Sequence, residues 1–177
     1  MSISQLKQLI SPPANPLEVG TTSQWNEFEQ TLGLTVPTDY KKFVFTYGTG
    51  LLANFYMVYN PFSASPYISF LSVATTVCDN NRESQSFYPD RFPYAYYPKP
   101  GGLLPWGRDE NGNDYFWATQ GAPDSWIVVQ DDNRGDGIKT HPTTMTQFLV
   151  AILNKRIEPL ASNYPKEKDF TFEPYRN

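Results

Sequence analysis

Apolar residues recur at every third or fourth position in three stretches of the chain, a spacing that places them on one face of an α-helix. These stretches predict helices over residues 21–32, 37–47 and 145–156. Their apolar faces consist of Trp25, Phe28 and Leu32 in the first, Tyr40, Phe43, Val44 and Tyr47 in the second, and Met145, Phe148, Leu149, Ile152 and Leu153 in the third. Thr21 opens the first and Thr144 precedes the third, and each is followed three positions later by a Gln, which is the spacing of a capping box.

A second pattern consists of short runs rich in aromatic and β-branched residues, which favour strands. Such runs cover residues 51–59, 103–107, 115–117, 126–129 and 138–141. Asn111-Gly112 lies between the second and third runs, and this dipeptide is typical of a two-residue type I′ turn because both residues tolerate positive φ. We therefore predict a hairpin with one face against the core.

Between these elements the pattern is weaker. Residues 2–10 have helical spacing over a short length, and residues 67–85 mix helix and strand signals, of which we favour the helix. Residues 87–102 contain four prolines. Because proline has no amide hydrogen to donate to a ladder, we expect an ordered loop there.

Length and composition fit one globular domain. The chain has 177 residues, of which 40% are hydrophobic and 18% charged, so it can form a sizeable core and does not resemble a disordered protein. We expect the domain at residues 21–157, an amino-terminal arm with a short helix at residues 1–20, and an extended tail at residues 158–177 that packs on the domain.

Charge and ring content narrow the class of partner. Fourteen basic and 18 acidic side chains give a net charge of −4, which argues against nucleic-acid binding and is compatible with a basic protein partner. The alternative is that a mildly acidic charge only keeps the protein soluble. Aromatic residues reach 16%, and we favour a ring-rich core over an exposed aromatic surface.

Cysteine and histidine occur once each, as Cys78 and His141. An intrachain disulfide and a multi-histidine metal site are therefore excluded, and we expect no metal and no cofactor. A Cys78–His141 pair for nucleophilic catalysis is conceivable. An inert thiol on an apolar helix face is the favoured alternative.

The amino-terminal residues have no basic stretch followed by an apolar run, and nowhere do about 18 apolar residues follow one another. We therefore expect a cytoplasmic protein that makes no contact with a membrane.

Several motifs occur in a fixed order along the chain and together resemble the SUKH superfamily. The amino-terminal set is Trp25, Phe28-Glu29, Leu32-Gly33, Val36-Pro37-Thr38-Asp39-Tyr40-Lys41-Lys42-Phe43 and Tyr47-Gly48-Thr49-Gly50. The middle set is Leu103-Leu104-Pro105-Trp106-Gly107-Arg108-Asp109-Glu110-Asn111-Gly112, Phe116-Trp117 and Trp126-Ile127-Val128-Val129, and the closing helix has Met145, Phe148 and Leu149. The resemblance runs from about Trp25 to Leu153.

The resemblance implies an α+β fold with a curved, mostly antiparallel sheet of about four to six strands and flanking helices at the amino- and carboxyl-terminal ends. It also implies a protein without catalytic activity. Many bacterial members resemble immunity proteins that neutralise a secreted toxin, often a nuclease or a deaminase, and fungal members resemble regulators of cell-wall synthesis. The chain departs from the common pattern in its ring-rich residues 67–97 and in its tail.

Two other chemistries are conceivable around the predicted hairpin. Asp109, Asn111 and Asn113 have the spacing that opens a calcium loop. The required Gly comes at the fourth position instead of the sixth, and the twelfth position is Gln120 instead of Glu, so the turn explains these residues better. Carboxylates for glycoside hydrolysis could come from Glu110, Asp114 and Asp124. Aspartates of this kind are also common turn residues.

The remaining candidate site is an acidic patch at the ends of neighbouring strands. Its members are Asp109, Glu110, Asp114, Asp131, Asp132 and Asp136, beside Trp106 and Trp126. Such a patch would suit a basic toxin face, because charge speeds the encounter and rings anchor the contact. For the tryptophans, burial in the core is the favoured alternative. For the carboxylates, turn capping and partner binding both stay open.

Three functions remain. The leading hypothesis is a bacterial immunity protein that binds a cognate toxin, of the nuclease type, and blocks it sterically and electrostatically. The second is a non-catalytic scaffold or regulator of the cell-wall-assembly type that binds an endogenous protein. The third is an enzyme acting on carbohydrate, in which the aromatic loops would stack against sugars.

Overall fold

The computed structural model of the protein describes residues 2–133, 137–158 and 164–175. Within these residues it contains five α-helices and seven strands. The helices are α1 (Ser2–Leu9), α2 (Thr22–Leu32), α3 (Thr38–Tyr47), α4 (Phe70–Phe87) and α5 (Met145–Leu153). The strands are β1 (Gly50–Leu52), β2 (Tyr56–Val58), β3 (Leu103–Asp109), β4 (Asp114–Ala118), β5 (Ile127–Asp132), β6 (Gly137–His141) and β7 (Phe172–Pro174). Short 3₁₀ turns cover Pro123–Ser125 and Glu167–Asp169.

The seven strands form one curved, open antiparallel sheet in the order β6-β5-β4-β3-β2-β1-β7. The α+β class is therefore confirmed. The sheet has one strand more than the upper end of the predicted range, and residues 172–174 of the predicted extended tail supply it by pairing with β1.

The single strand predicted over residues 51–59 is wrong, because the chain reverses within it. Phe55 N donates to Leu52 O (3.1 Å), and both residues between them, Ala53 and Asn54, have positive φ. This is the backbone pattern of a type I′ turn. The run is apolar throughout except for one asparagine, Asn54, and this residue was the only indication of a turn.

The three helices predicted from apolar stripes are confirmed, as is the helical interpretation of residues 67–85. Both capping boxes form: Thr21 pairs with Gln24 and Thr144 with Gln147. α2 ends at Gly33, whose φ of 70° lies in the left-handed region that favours glycine.

The pleat of the sheet sends alternate side chains to two faces, and each face has its own apolar cluster. Leu104, Trp117 and Val128 join the larger cluster, together with α1, α3 and α5. Leu103, Phe116 and Val129 join the smaller one, which Val77 and Cys78 of α4 and residues 92–97 cover. Both faces of the central strands are therefore buried, so a polar side chain on either face of these strands is buried as well.

Candidate partner-binding surfaces

The turn between β3 and β4 is longer than predicted, so the two-residue turn at Asn111-Gly112 is wrong. Gly112 N donates to Asp109 O (2.9 Å), and Asp109 N donates to Asn113 O (3.1 Å). Of the two predicted turn residues, only Gly112 has positive φ. The hairpin itself is confirmed, with Arg108 opposite Asp114 in the last pair before the turn.

The Asp109 carboxylate explains the longer turn. Its Oδ1 accepts from the backbone N of Asn111 (2.9 Å) and of Asn113 (3.0 Å). Its Oδ2 accepts from Asn113 Nδ2 (2.9 Å) and Tyr115 OH (2.7 Å). Asp109 is buried and holds the turn from inside, so the turn-capping alternative describes its contacts.

Asp114 and Asp131 lie directly opposite each other on β4 and β5. Both are buried, Asp131 completely. The strand predicted over residues 126–129 is longer in the structure, because β5 extends through Asp132. Two like charges at this spacing repel each other unless each has a cation of its own.

Two arginines supply those cations. Arg108 Nε donates to Asp114 Oδ1 (2.8 Å) and its Nη2 to Asp114 Oδ2 (3.2 Å). Arg91, from the proline-rich loop, donates from Nη2 to Asp131 Oδ1 (2.8 Å) and to Asp132 O (2.7 Å). Burial raises the pKa of Asp131 despite this partner, and the nearby Asp114 adds to the rise. Arg91 was not predicted as a site residue, and its one signal in the sequence is that it is the only arginine among those prolines.

Trp106 and Trp126 lie in the core. Trp106 is 1% exposed and stacks on Tyr115, with a ring centroid distance of 5.4 Å. It is the extra residue of a β-bulge between the paired residues Pro105 and Gly107, and its ring contacts Phe148 of α5. Trp126 is 4% exposed and its indole N–H donates to Gly121 O (3.3 Å). Core burial was the favoured alternative for both.

Glu110 is exposed and Asp132 is half-buried. Asp136, the last member of the predicted patch, lies outside the described residues. Of the six predicted carboxylates, Asp109, Asp114 and Asp131 thus point into the protein, and Glu110 and Asp132 reach the surface. The partner-binding role of the patch stays a prediction, and it rests on fewer surface charges than the sequence indicated.

The groups considered for catalysis occupy separate places. Cys78 is buried, its thiol donates to Leu103 O (3.7 Å), and burial raises its pKa to about 12. His141 Nε2 lies 2.9 Å from Gln130 Oε1. Asp124, a candidate for glycoside hydrolysis, accepts from Thr38 N (2.6 Å) and Thr38 Oγ1 (2.9 Å) at the start of α3. Each group thus has a structural contact of its own.

No group of three or more His, Cys, Asp or Glu side chains could hold a metal ion within residues 2–133, 137–158 and 164–175. In the same part of the chain, no helix is long and apolar enough to cross a membrane.

A groove between three helices was not predicted. We call it the α3 groove; its volume is about 530 Å³. Its lining residues are Ile3 and Lys7 of α1, Thr22, Trp25 and Asn26 of α2, and Thr38, Lys41, Lys42, Phe45 and Thr46 of α3. The α3 members recur at helical spacing on the face opposite the buried stripe. Phe45 stands there with 71% of its surface exposed. The position of Phe45 on the otherwise polar face of α3 is the feature of the sequence that could have indicated this groove.

A family model described as SUKH_6, SMI1-KNR4 cell-wall, matches residues 22–149 of the chain. The chain belongs to the SMI1-KNR4 family of the SUKH superfamily. No curated protein and no solved structure matches it.

The segment matched to the SMI1-KNR4 family contains most of this architecture. It runs from the start of α2 into α5 and includes β1 to β6. α1 and β7 lie outside it, although α1 packs on α5 and β7 completes the sheet. One wall of the α3 groove, formed by Ile3 and Lys7, is therefore an addition to the part of the domain that the family match covers.

Proposed function

We propose that this SMI1-KNR4 domain is a bacterial immunity protein that binds a cognate toxin and blocks it by occupying its surface. The toxin is of the nuclease type, and the immunity protein carries out no reaction of its own. The proposal places it in the cytoplasm, where it would meet an incoming toxin. The observation that carries the proposal is the family match over residues 22–149.

The contacts of the polar groups support a binding role. Asp109, Asp114 and Asp131 each hold internal partners, and the Cys78 thiol stays protonated at neutral pH because its pKa is raised to about 12. Groups occupied in this way stabilise a surface and are poorly placed to act on a substrate. A protein that blocks by contact requires such rigidity, because a preformed surface loses little entropy on binding.

The charge of the partner follows from the charge of the chain. With a net charge of −4, the protein attracts a basic toxin domain at long range, which raises the association rate. Glu110 and Asp132, at the surface beside the β3–β4 turn, are the residues of the predicted patch that would meet it.

Co-expression tests the proposal directly. The toxin candidate is the protein encoded next to this chain in its own genome, expressed from an inducible promoter in a bacterial host. We expect growth to stop when the toxin is induced alone and to continue when this chain is present. Continued growth arrest with soluble protein present would contradict the proposal.

A titration with purified proteins separates blocking from catalysis. If the chain blocks the toxin by occupying it, nuclease activity falls in proportion to the added protein and reaches zero near one equivalent. If a small fraction of an equivalent inactivates all the toxin with time, the chain is an enzyme. The variant Glu110→Lys should slow association with a basic toxin. Lys139→Glu, which reverses a charge on β6, is the control and should not slow it.

A second function is favoured by one observation, the cell-wall description of the matching family model. In this alternative the domain is a scaffold that binds an endogenous protein of cell-wall assembly. Affinity purification from the native organism distinguishes the two. A cell-wall enzyme or its regulator as the main captured protein, together with altered wall composition in a deletion strain, would favour the scaffold.

A further inference from the structure

We infer that the α3 groove is a docking site for an acidic polypeptide segment that carries a large apolar side chain. This inference goes beyond the proposed function and does not depend on it, since the groove lies on the helices and the predicted acidic patch lies at the β3–β4 turn. It would hold equally for an immunity protein and for a scaffold.

The floor of the groove is a fixed aromatic surface. The Trp25 ring packs edge-on against Phe62 (4.8 Å between centroids), Tyr40 (5.9 Å) and Phe28 (6.0 Å). Its indole N–H donates to Val19 O (3.2 Å). Trp25 is therefore held from several directions while part of it reaches the groove. Such a preformed ring binds an apolar side chain without the entropy cost of ordering itself.

The rim of the groove supplies a second ring. Phe45 is 71% exposed, whereas the stripe formed by Tyr40, Phe43, Val44 and Tyr47 on the same helix is buried. An exposed phenyl ring beside a cavity leaves apolar surface in water, and a partner side chain that fills the cavity would cover it. Aromatic anchors of this kind contribute most of the binding energy in protein interfaces.

The charge of the groove selects the partner. Lys7, Lys41 and Lys42 all line it. Lys41 pairs with Glu29 (2.7 Å) and its ammonium group lies 5.8 Å from the centre of the Trp25 ring. Lys7 and Lys42 form no ion pair with any residue that the structure describes. Two such lysines flanking an apolar floor complement carboxylates that flank an apolar side chain.

A polypeptide fits this arrangement better than a nucleic acid. The whole chain has a net charge of −4, which repels a nucleic acid at long range, and the groove itself offers only three lysines to phosphates. A volume of about 530 Å³ accommodates one or two large side chains. The expected ligand is therefore a short segment with Asp or Glu on either side of Leu, Phe or Trp.

Selection from a random peptide library, displayed on phage and panned against the full chain, tests the inference. We expect the enriched peptides to carry Asp and Glu around an aromatic or large aliphatic residue. Synthetic versions of the enriched peptides are then titrated by fluorescence anisotropy. Phe45→Ala and Lys42→Glu should each weaken binding at least about tenfold, the change typical of an interface anchor.

Two matched variants control for general effects. Phe87→Ala removes a ring that is 70% exposed, almost the same as Phe45, at the end of α4. Lys139→Glu reverses an exposed charge on β6. Both should leave peptide affinity unchanged. Since Phe45 and Lys42 are exposed, their variants should unfold at the same temperature as the wild type, which circular dichroism checks.

Each other result overturns the inference. Failure to enrich any peptide means that the groove does not bind polypeptide, and enrichment of basic peptides means that its charge is irrelevant. Peptides whose affinity falls with Phe87→Ala would place the site at the end of α4. Binding of a labelled single-stranded oligonucleotide that Lys42→Glu abolishes would make the ligand a nucleic acid. The toxin titration with Phe45→Ala then shows separately whether the groove takes part in neutralisation.

Discussion

Asp114 and Asp131 stand face to face on adjacent strands, each buried, and each bound by an arginine from a different part of the chain. Arg108 precedes Asp114 in the same hairpin, whereas Arg91 comes from the proline-rich loop. The four side chains thus form a row in which the two carboxylates lie side by side between the two arginines. Because neither carboxylate could remain charged beside the other without its arginine, the row ties that loop to β5.

Removing Arg91 should therefore destabilise the protein more than a surface substitution does. Arg91→Ala leaves Asp131 buried and unpaired next to Asp114, and we expect a loss of about 3 kcal/mol in the free energy of unfolding, since Arg91 is itself partly exposed. Urea denaturation followed by tryptophan fluorescence measures it. Lys99→Ala, an exposed lysine in the same loop, should change the value by less than about 0.5 kcal/mol. Equal effects of the two variants would show that the buried pair does not matter.

The pH dependence of stability should carry the signature of Asp131. Its pKa is raised in the folded state by burial, so between the ordinary aspartate pKa and the raised one the folded protein binds more protons than the unfolded chain. The stability contributed by Asp131 therefore grows as the pH falls through its folded pKa and is lost as the pH rises. Compared with Asp131→Asn, which cannot titrate, the wild type should gain stability between pH 7 and pH 4. A difference between the two proteins that stays constant over this range would contradict the assignment.

Asp109 should be required for the β3–β4 turn. Asp109→Ala removes the acceptor of two backbone amides, an asparagine amide and the Tyr115 hydroxyl in a buried site. We expect a loss of about 2–3 kcal/mol in the free energy of unfolding, because buried donors are left without acceptors. Glu110→Ala, one position away and exposed, is the control and should have little effect. Thermal and urea unfolding of both variants gives the comparison.

Trp106 should act in the core. Trp106→Ala removes a ring that contacts Tyr115, Trp117 and Phe148, and the expected loss is about 3–5 kcal/mol. At a temperature where the variant is still folded, its affinity for peptides selected against the α3 groove should equal that of the wild type. A variant of normal stability would show that Trp106 does not act in the core.

Cys78 should report on global unfolding. The thiol is buried and its pKa is raised to about 12, so little reactive thiolate forms in the native protein. We expect a thiol-specific chromogenic reagent to react slowly at pH 8 and to label one thiol rapidly in denaturant. Fast labelling of the native protein would show that α4 opens locally or that the thiol is accessible.

Local signals predicted the helices well and the turns poorly. α2 and α5 were found because an apolar stripe and a capping box coincide within one short segment. The Asn111-Gly112 turn was misjudged because the carboxylate of Asp109, outside the expected turn, binds the amides of Asn111 and Asn113. The preference of Asn-Gly for a two-residue turn is weaker than the four hydrogen bonds that the buried Asp109 carboxylate accepts, so these hydrogen bonds decide the turn.

The candidate site shows the same division more sharply. The sequence grouped six carboxylates at two strand ends, but it had no means to tell which of them point inward. The structure places two of them, Asp114 and Asp131, opposite each other in the sheet. No local pattern encodes the contact of Arg91 with Asp131, which lies 40 positions away in the sequence. The same is true of the packing of α1 beside α2 and α3 around the α3 groove. Such contacts depend on how distant segments pack.

By itself, then, the sequence determined the helices and their apolar faces, because periodicity and end signals act within about ten residues. The α+β class and the family followed from the resemblance of its ordered motifs to the SUKH superfamily. Only the tertiary structure decided that Asp114 and Asp131 are internal and that Phe45 with its lysines is exposed. The reason is physical: whether a side chain meets water depends on the packing of elements brought together from far along the chain, and burial rather than residue type decides whether a charge is available to a partner.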